Sequence, residues 1–302
     1  MRFAFSDEQL AFRDAVRDLL EKECSPAAVR EAWTNGTGRV PGLWQKLDDM
    51  GLFDTALSPL DLVLVFEETG RACVPEPLAE TFAAGSGEGS VGLGLGLAPM
   101  VLYADSVDRL VLERWRVLFA VDRSRAALEQ CPAVDRTRRM FAVEWSPDES
   151  ERLDLDVGLV HDRAALAAAA QLSGLGQHLL DVTVAYATQR EQFGQPIGAF
   201  QAVKHHLANV ALGLEFARPV VHRAAATMNP THVSMAKAFA SDAAMLASRV
   251  ALQVHGAIGY TVEHDLHMWM KRAWALAGAW GDSRWHRRRV GDAILGTRER
   301  RT

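Results

Sequence analysis

"REQFGQPIGAFQAVKHHLANVA", Arg190–Ala211, decides how this chain is read. Arg190 closes a long apolar-striped segment. Gln192 adds an amide, Phe193 a flat apolar face and Gly194 a helix stop. Pro196 and Gly198 then fix a short connection before a second helix, whose stripe runs Val203, Leu207, Val210, Leu214. An Arg fork suits a diphosphate, and an aromatic face suits an adenine ring. On spacing alone the stretch is either such a grip or a helix–helix corner with a solvent-facing Arg.

Outward from it, the chain is helical on both sides. Upstream, Leu172, Leu175, Leu179, Val182 and Tyr186 keep the three-four spacing of a buried stripe. Downstream, residues 233 to 254 are rich in Ala and Ser, with Met235, Phe239, Leu246 and Val250 as the larger knobs. Small residues let helices approach closely, which predicts a C-terminal helix bundle over 154–302. Residues 1–84 read as an N-terminal helical lobe. There Ser6 and Gln9 have capping-box spacing, Pro41 starts a helix that ends at Gly51, and Ser58, Pro59 and Gly70 cap, open and stop another. Between them, 85–153 reads as a reduced central β-region. "AAGSGEGSVGLGLGLAP" (83–99) reads as a loop or linker, and "RLVLERWRVLFAVD" and "RRMFAVEWS" as strands.

The 302 residues carry a net charge of −5, with 49% hydrophobic and 24% charged residues, an ordinary globular balance that gives no reason to expect a nucleic-acid partner. Arg287, Arg288 and Arg289 read as a solvated helix face. Cys24, Cys73 and Cys131 have neither metal nor disulfide spacing, so a reducing cytoplasm fits. The acidic, amphipathic N-terminus is not a signal peptide, and no apolar run is long enough to span a membrane.

A second cluster, "QVHGAIGYTVEHDLHMWMKRA" (Gln253–Ala273), breaks a helix at Gly256 and Gly259, which frees backbone N–H groups for phosphate oxygens. His264 and His267 have metal-like spacing but lack a third ligand, so no metal is expected. Together the two stretches resemble the paired signatures of acyl-CoA dehydrogenases. One is Arg-x-Gln-Phe-Gly followed seven residues later by Gln: here Arg190, Gln192, Phe193, Gly194 and Gln201. The other is Gln-x-x-Gly-Gly-x-Gly-Tyr, with Ala257 in place of the second Gly. "LWQKLDDMGLF" and "LVFEETGRACVPEPLAET" are similar to that family's N-terminal lobe. The resemblance implies a mainly α fold with a helical lobe, a central β-region and a C-terminal four-helix bundle, and FAD lying between subunits. It implies that Arg190, Gln192, Phe193, Ile197, Gln201, Gln253, Gly256 and Ala257 hold the adenosine diphosphate half of that FAD.

The departures from the family carry equal weight. In its reaction a glutamate takes an α-proton from an acyl-CoA and a hydride leaves the β-carbon for the flavin. By register the two places for that glutamate fall at Trp280 or Gly281 and near Ala164, none of which can accept a proton. Asp162 is close in sequence, but its side chain would point elsewhere on the helix. The Thr-Glu-Pro and Gly-Ser-Asp segment that cradles the flavin ring has no counterpart, nor has the Gly-rich insert before the "SPLDLVLVFEETG" helix. No residue of this chain is therefore expected to be catalytic. The combination resembles the short subunit of heteromeric, two-plus-two acyl-CoA dehydrogenases of bacterial steroid catabolism. That resemblance implies a longer homologous partner, an acyl-CoA substrate and an electron-transfer flavoprotein or similar acceptor. Two other readings stay open: a self-sufficient homotetramer using Glu263 as base, and a flavin-free structural or acyl-CoA-binding subunit.

Overall fold

The computed structural model describes residues 4–85, 89–96 and 100–296. Five helices come first: α1 (Asp7–Glu23), α2 (Pro26–Ala32), α3 (Leu43–Asp49), α4 (Pro59–Arg71) and α5 (Leu78–Ala84). Seven short strands follow: β1 (Val91–Gly94), β2 (Met100–Leu102), β3 (Arg109–Arg114), β4 (Val117–Val121), β5 (Ala127–Cys131), β6 (Met140–Glu144) and β7 (Glu151–Leu153). The long helix α6 (Val157–Gln189) leads into the hairpin β8 (Glu191–Gln192) and β9 (Gln195–Pro196). The chain closes with α7 (Gln201–Thr227), α8 (Pro230–His255), α9 (Leu266–Gly278) and α10 (Ser283–Leu295).

The helix starts follow local chemistry. Ser6 and Gln9 form a reciprocal capping box on α1, and Ser58 and Asp61 do the same on α4 with Pro59 at its first position. Pro41 does not open α3. Gly42, in the left-handed region at φ 73°, precedes Leu43, so the helix starts after a turn. Gly70 does not stop α4, which runs one residue further. It is buried instead where α4 crosses α6. A Cβ there would collide with the Gln171 backbone, and a Cβ on Gly174 would collide with the Glu67 carbonyl. Two glycines, one on each helix, thus let the backbones touch.

One hydrophobic core runs through both helical parts, from Val16 and Leu20 of α1 through Val65 of α4 and Leu172 of α6 to Leu276 of α9. Along α8 the buried face is made of small side chains, including Ala236, Ala240, Ala244, Ala247 and Ser248. Phe239, expected as a core knob, is 48% exposed because it projects from the opposite side.

The strands form a four-stranded sheet, ordered β1-β3-β4-β7, and a three-stranded one, ordered β2-β6-β5. The Gly-rich stretch is not all loop: Val91–Gly94 is a fully buried strand lying parallel to β3, while residues 86–88 and 97–99 of that stretch lie outside the described residues. Gly92 explains the composition, since a Cβ there would sit 2.9 Å from Val101 of β2. Trp115 and Arg116, both with positive φ, make the two-residue turn between β3 and β4. A buried polar knot fastens the strands to the helices: Arg272 of α9 binds the Asp135 carboxylate, donates to the Val74 carbonyl at 2.7 Å and to Thr137 Oγ1 at 2.6 Å.

Candidate functional site

The last turn of α6 sets the first motif. The Arg190 N–H donates to the Tyr186 carbonyl at 2.8 Å, after which Arg190 turns extended and its own carbonyl accepts from Ile197 N–H at 2.8 Å. Gly194 is not a helix stop. With Phe193 at φ 56° and Gly194 at φ 80° the pair forms the two-residue turn of the β8–β9 hairpin. That turn lifts Phe193 clear of the protein, 92% exposed, with its ring edge-on to Phe200 at 6.2 Å. Gly198 lies where a Cβ would be 3.0 Å from the Ala187 carbonyl, which holds the loop against α6. Gln192 and Gln201 are exposed and Ile197 is half-buried. No side chain caps α7, so its first amides remain available to an anion. Arg190 is exposed and makes no ion pair among the described residues.

The second motif ends α8. Gly256 adopts φ 62°, ψ −136°, a conformation open to glycine alone, and a short 3-10 turn runs from Gly256 to Tyr260. Gln253 and Ala257 are exposed, and Tyr260 and Val262 are largely so. The two motifs meet through aromatic rings. Tyr186 stacks on His255 at 4.3 Å and 20°, and His264 sits edge-on to His255 at 5.0 Å. Burial holds the His255 imidazole below its ordinary pKa, so the ring is neutral at pH 7 with Nδ1–H donating to the Ala251 carbonyl at 2.8 Å. Its Nε2 is buried without a partner among the described residues. Sequence spacing put Tyr186 in a core stripe and gave His255 no role; a stack between residues 69 apart leaves no local pattern.

The places read as lacking a base are filled. Ala164 is completely buried among Ala83, Val91 and Val160. Trp280 and Gly281 form a turn in which both residues have positive φ, 56° and 93°. A Cβ on Gly281 would lie 2.7 Å from the Trp285 ring. The turn is clamped from two sides: His286 Nε2–H donates to the Trp280 carbonyl at 2.9 Å, and Lys237 Nζ donates to the Gly281 and Ala277 carbonyls at 3.0 and 3.1 Å. Lys237 is fully buried on α8, and the sequence signal that could have exposed it is a lone Lys on a small-residue face. Asp162 is taken up by Arg289, 2.9 Å between Nη2 and Oδ2, and by His161. Burial alone would raise its pKa, but the His161 and Arg289 hydrogen bonds hold the carboxyl below its usual range. Arg287 pairs with Asp242, so the basic run of α10 mostly ties that helix to its neighbours. Glu263 is exposed. Among the described residues no group of three or more His, Cys, Asp or Glu side chains could hold a metal ion, and no helix is long and apolar enough to cross a membrane.

Comparison with known proteins gives a consistent result. Residues 6–88 match the acyl-CoA dehydrogenase N-terminal domain and 156–295 its C-terminal domain. The chain is 36% identical to the acyl-CoA dehydrogenase IpdE2 of Mycolicibacterium smegmatis, over 94% of this chain and 98% of that protein. It is 32% identical to the acyl-CoA dehydrogenase FadE34 of Mycobacterium tuberculosis, over 98% of this chain but 49% of FadE34. Among solved structures, the ChsE4-ChsE5 complex of Mycobacterium tuberculosis has the same fold, with a TM-score of 0.84 at 19% identity over 98% of this chain and all of the matched one.

Proposed function

The chain belongs to the acyl-CoA dehydrogenase family of FAD-dependent oxidoreductases, and we propose that it is the base-free half of a two-chain enzyme of that family. In this reading it grips the adenosine diphosphate end of FAD. A longer homologue supplies the glutamate and the flavin-ring pocket. FAD held there would supply the acceptor for the hydride of the acyl β-carbon. The enzyme works in the cytoplasm on an acyl-CoA, with a steroid side-chain thioester as the substrate class, and passes its electrons to an electron-transfer flavoprotein or similar acceptor.

What supports the grip is the pinning of the two motifs on each other through Tyr186 and His255. That contact gathers Arg190, Gln192, Phe193, Ile197 and Gln201 at the same end of the bundle as Gln253, Gly256 and Ala257. Arg190 would face the diphosphate beside the open amides of α7, and Phe193 would lie on the adenine. Ala257 keeps the backbone N–H that a glycine would offer. These residues fit one half of the cofactor; nothing in the chain corresponds to the segment that cradles the ring.

The observation that carries the two-chain reading is the Trp280–Gly281 turn. Glutamate at 281 would have to adopt φ 93° and push into the Trp285 and His286 rings, so the position is closed to a base by structure as well as by residue type. The likeness to FadE34 takes in 49% of that protein, so a part similar to this chain sits there within a chain about half of which lies outside the match. That arrangement is expected of a unit that works beside another.

The test is to purify the chain alone and together with its longer homologue, and to measure FAD per chain and acyl-CoA-dependent dye reduction. The pair is expected to be yellow and active. Arg190→Ala in this chain should release FAD from the pair. A lone chain that binds one FAD and turns over acyl-CoA would overturn the reading, and loss of that turnover in Glu263→Gln would establish the single-chain enzyme.

A further inference from the structure

We infer that α2, which lies outside both motifs, is a positioning element for the second one. Trp33 acting through His267, and Arg30 acting through Asp265, hold residues 256–262 in the shape that retains the cofactor. The inference rests on the reading of that stretch as part of the cofactor grip.

The contacts fall at the seam between the motif and α9. Asp265 stands at the N-cap of that helix, where an Asp ordinarily accepts from the helix's own first amides. Asp265 makes no such bond. Its carboxylate accepts instead from Arg30 of α2, at 3.0 Å from Nε and also from Nη2. The capping task passes to His264, whose Nδ1 accepts from the Leu266 N–H at 3.2 Å. His267 is buried, and its ring hydrogen-bonds back to the Val262 backbone. The same ring lies edge-on to Trp33, the last residue of α2, at 5.0 Å. Lys271 Nζ sits 4.9 Å from the Trp33 ring, so the indole has α9 partners on two sides.

α9 does not need α2 to stay in place. Trp269 donates its indole N–H to the Arg71 carbonyl at 2.8 Å, and Arg272 is bound in the polar knot. What α2 adds acts ahead of the helix, on residues 262–267. Nor are these contacts explained by stability alone. An ion pair as exposed as Arg30–Asp265 stabilises little. Trp33 Nε1 and His267 Nδ1 are buried with no partner among the described residues. Leaving such atoms unbonded costs free energy that two apolar side chains would not incur. The pair is better accounted for by what it holds. From the same turn, ring contacts continue inward: His264 lies edge-on to His255, which stacks on Tyr186 in the last turns of α6. The side chains of α2 are thus joined by contacts to both motifs.

Amide hydrogen exchange and FAD release, measured on this chain purified together with its longer homologue, test the brace. Exchange is followed in FAD-stripped protein, so that readout does not depend on where the cofactor sits. The amides to watch lie in 256–268, among them the bonded ones of Gly256, Thr261, Leu266 and Met268. Trp33→Leu is expected to speed their exchange about tenfold, to leave the middle of α8 within about twofold, and to speed FAD release about tenfold. Trp33→Phe keeps a ring against His267 and should stay within about threefold of the native chain in both readouts. A role in stability alone would loosen the core around α2 as a whole and would not single out 256–268. Unchanged exchange there in a folded Trp33→Leu, or a loss in Trp33→Phe as large as in Trp33→Leu, would overturn the brace. Arg190→Ala, measured alongside, separates the brace from the cofactor reading. FAD released by Arg190→Ala but held by Trp33→Leu overturns the brace. FAD held by both, with 256–268 loosened in Trp33→Leu, overturns the cofactor assignment and leaves the brace standing. Should Trp33→Leu fail to fold, as judged by its melting curve, Arg30→Glu sets a like charge against Asp265 at an exposed position. It is expected to speed exchange over 261–268 several-fold, and unchanged exchange there would equally overturn the assignment.

Discussion

Gly70, Gly174 and Gly194 occupy positions that look alike in sequence, each near a helix boundary or within an apolar helix, yet they answer to different physics. At Gly70 and Gly174 the constraint is space: each faces the backbone of the helix it crosses, with no flexible side chain to give way. At Gly194 the space is open and the constraint is φ 80°. Gly70→Ala and Gly174→Ala are expected to force α4 from α6 and to cost about 2–3 kcal/mol each, the upper part of the range for overpacking, because the atoms met are backbone. Gly194→Ala should cost about 1–2 kcal/mol, the left-handed penalty alone. The loss there should also be largely local, since the hairpin sits outside the core. Urea denaturation midpoints order the three variants. A Gly194→Ala loss as large as that of Gly174→Ala would mean the hairpin is an integral part of the core. The reading of Gly70 and Gly194 as helix stops failed because a stop, a hairpin turn and a close approach all select the same residue. Only the neighbour across the gap distinguishes them, and that neighbour is about a hundred residues away for Gly70.

At the scale of elements, the helices and the strands β3, β4 and β6 were legible, and β1 was not. Capping boxes at Ser6 and Ser58 and the three-four stripe of α6 are local signals, and each lies where the spacing puts it. β1 was hidden because its glycines look like a loop, while the reason for Gly92 is a second sheet pressed on it. α8 shows a similar concealment, since its buried face holds Ala and Ser and one fully buried Lys237. Burial pulls the Lys237 ammonium down to about 7; nearby Asp282 opposes this, and Arg138 adds to it. The carbonyls of Ala277 and Gly281 and the Ser241 hydroxyl also favour the ammonium, but as partial charges they do not outweigh the loss of water. Between a pKa of about 7 in the fold and 10.5 in the open chain, the unfolded state binds the extra proton, so stability rises with pH across that window and is least below it. Thermal melts of the native chain should therefore shift upward from neutral pH to about 9 relative to Lys237→Met. Parallel pH profiles for the two proteins would show that the lysine is charged throughout.

For the whole molecule, the order helical lobe, strands, helical bundle could be read from texture along the chain, whereas its outer surface could not. Periodicity says which residues leave solvent within one chain. It cannot say what covers the rest. α7 turns Leu212 and Phe216, one helical turn apart, to solvent at 54% and 68% exposure, and α8 adds Phe239. Phe193, Tyr260 and Val262, on and beside the two motifs, are further exposed apolar side chains. Large side chains exposed in such numbers on neighbouring helices mark an association surface. Under the two-chain reading the cofactor grip and the subunit contact share this surface, and weakening one should weaken the other. Leu212→Ser with Phe216→Ser removes apolar area without touching Arg190 or Gln253. The double variant is expected to keep the helical content of the native chain, to fall to a lower mass by light scattering, and to lose FAD in proportion. Dissociation with full FAD retention by this chain would separate the two roles and point to a cofactor site complete in itself. An unchanged mass would instead locate the contact on the hairpin and the Gly256 turn, where Phe193→Ser should then dissociate the assembly.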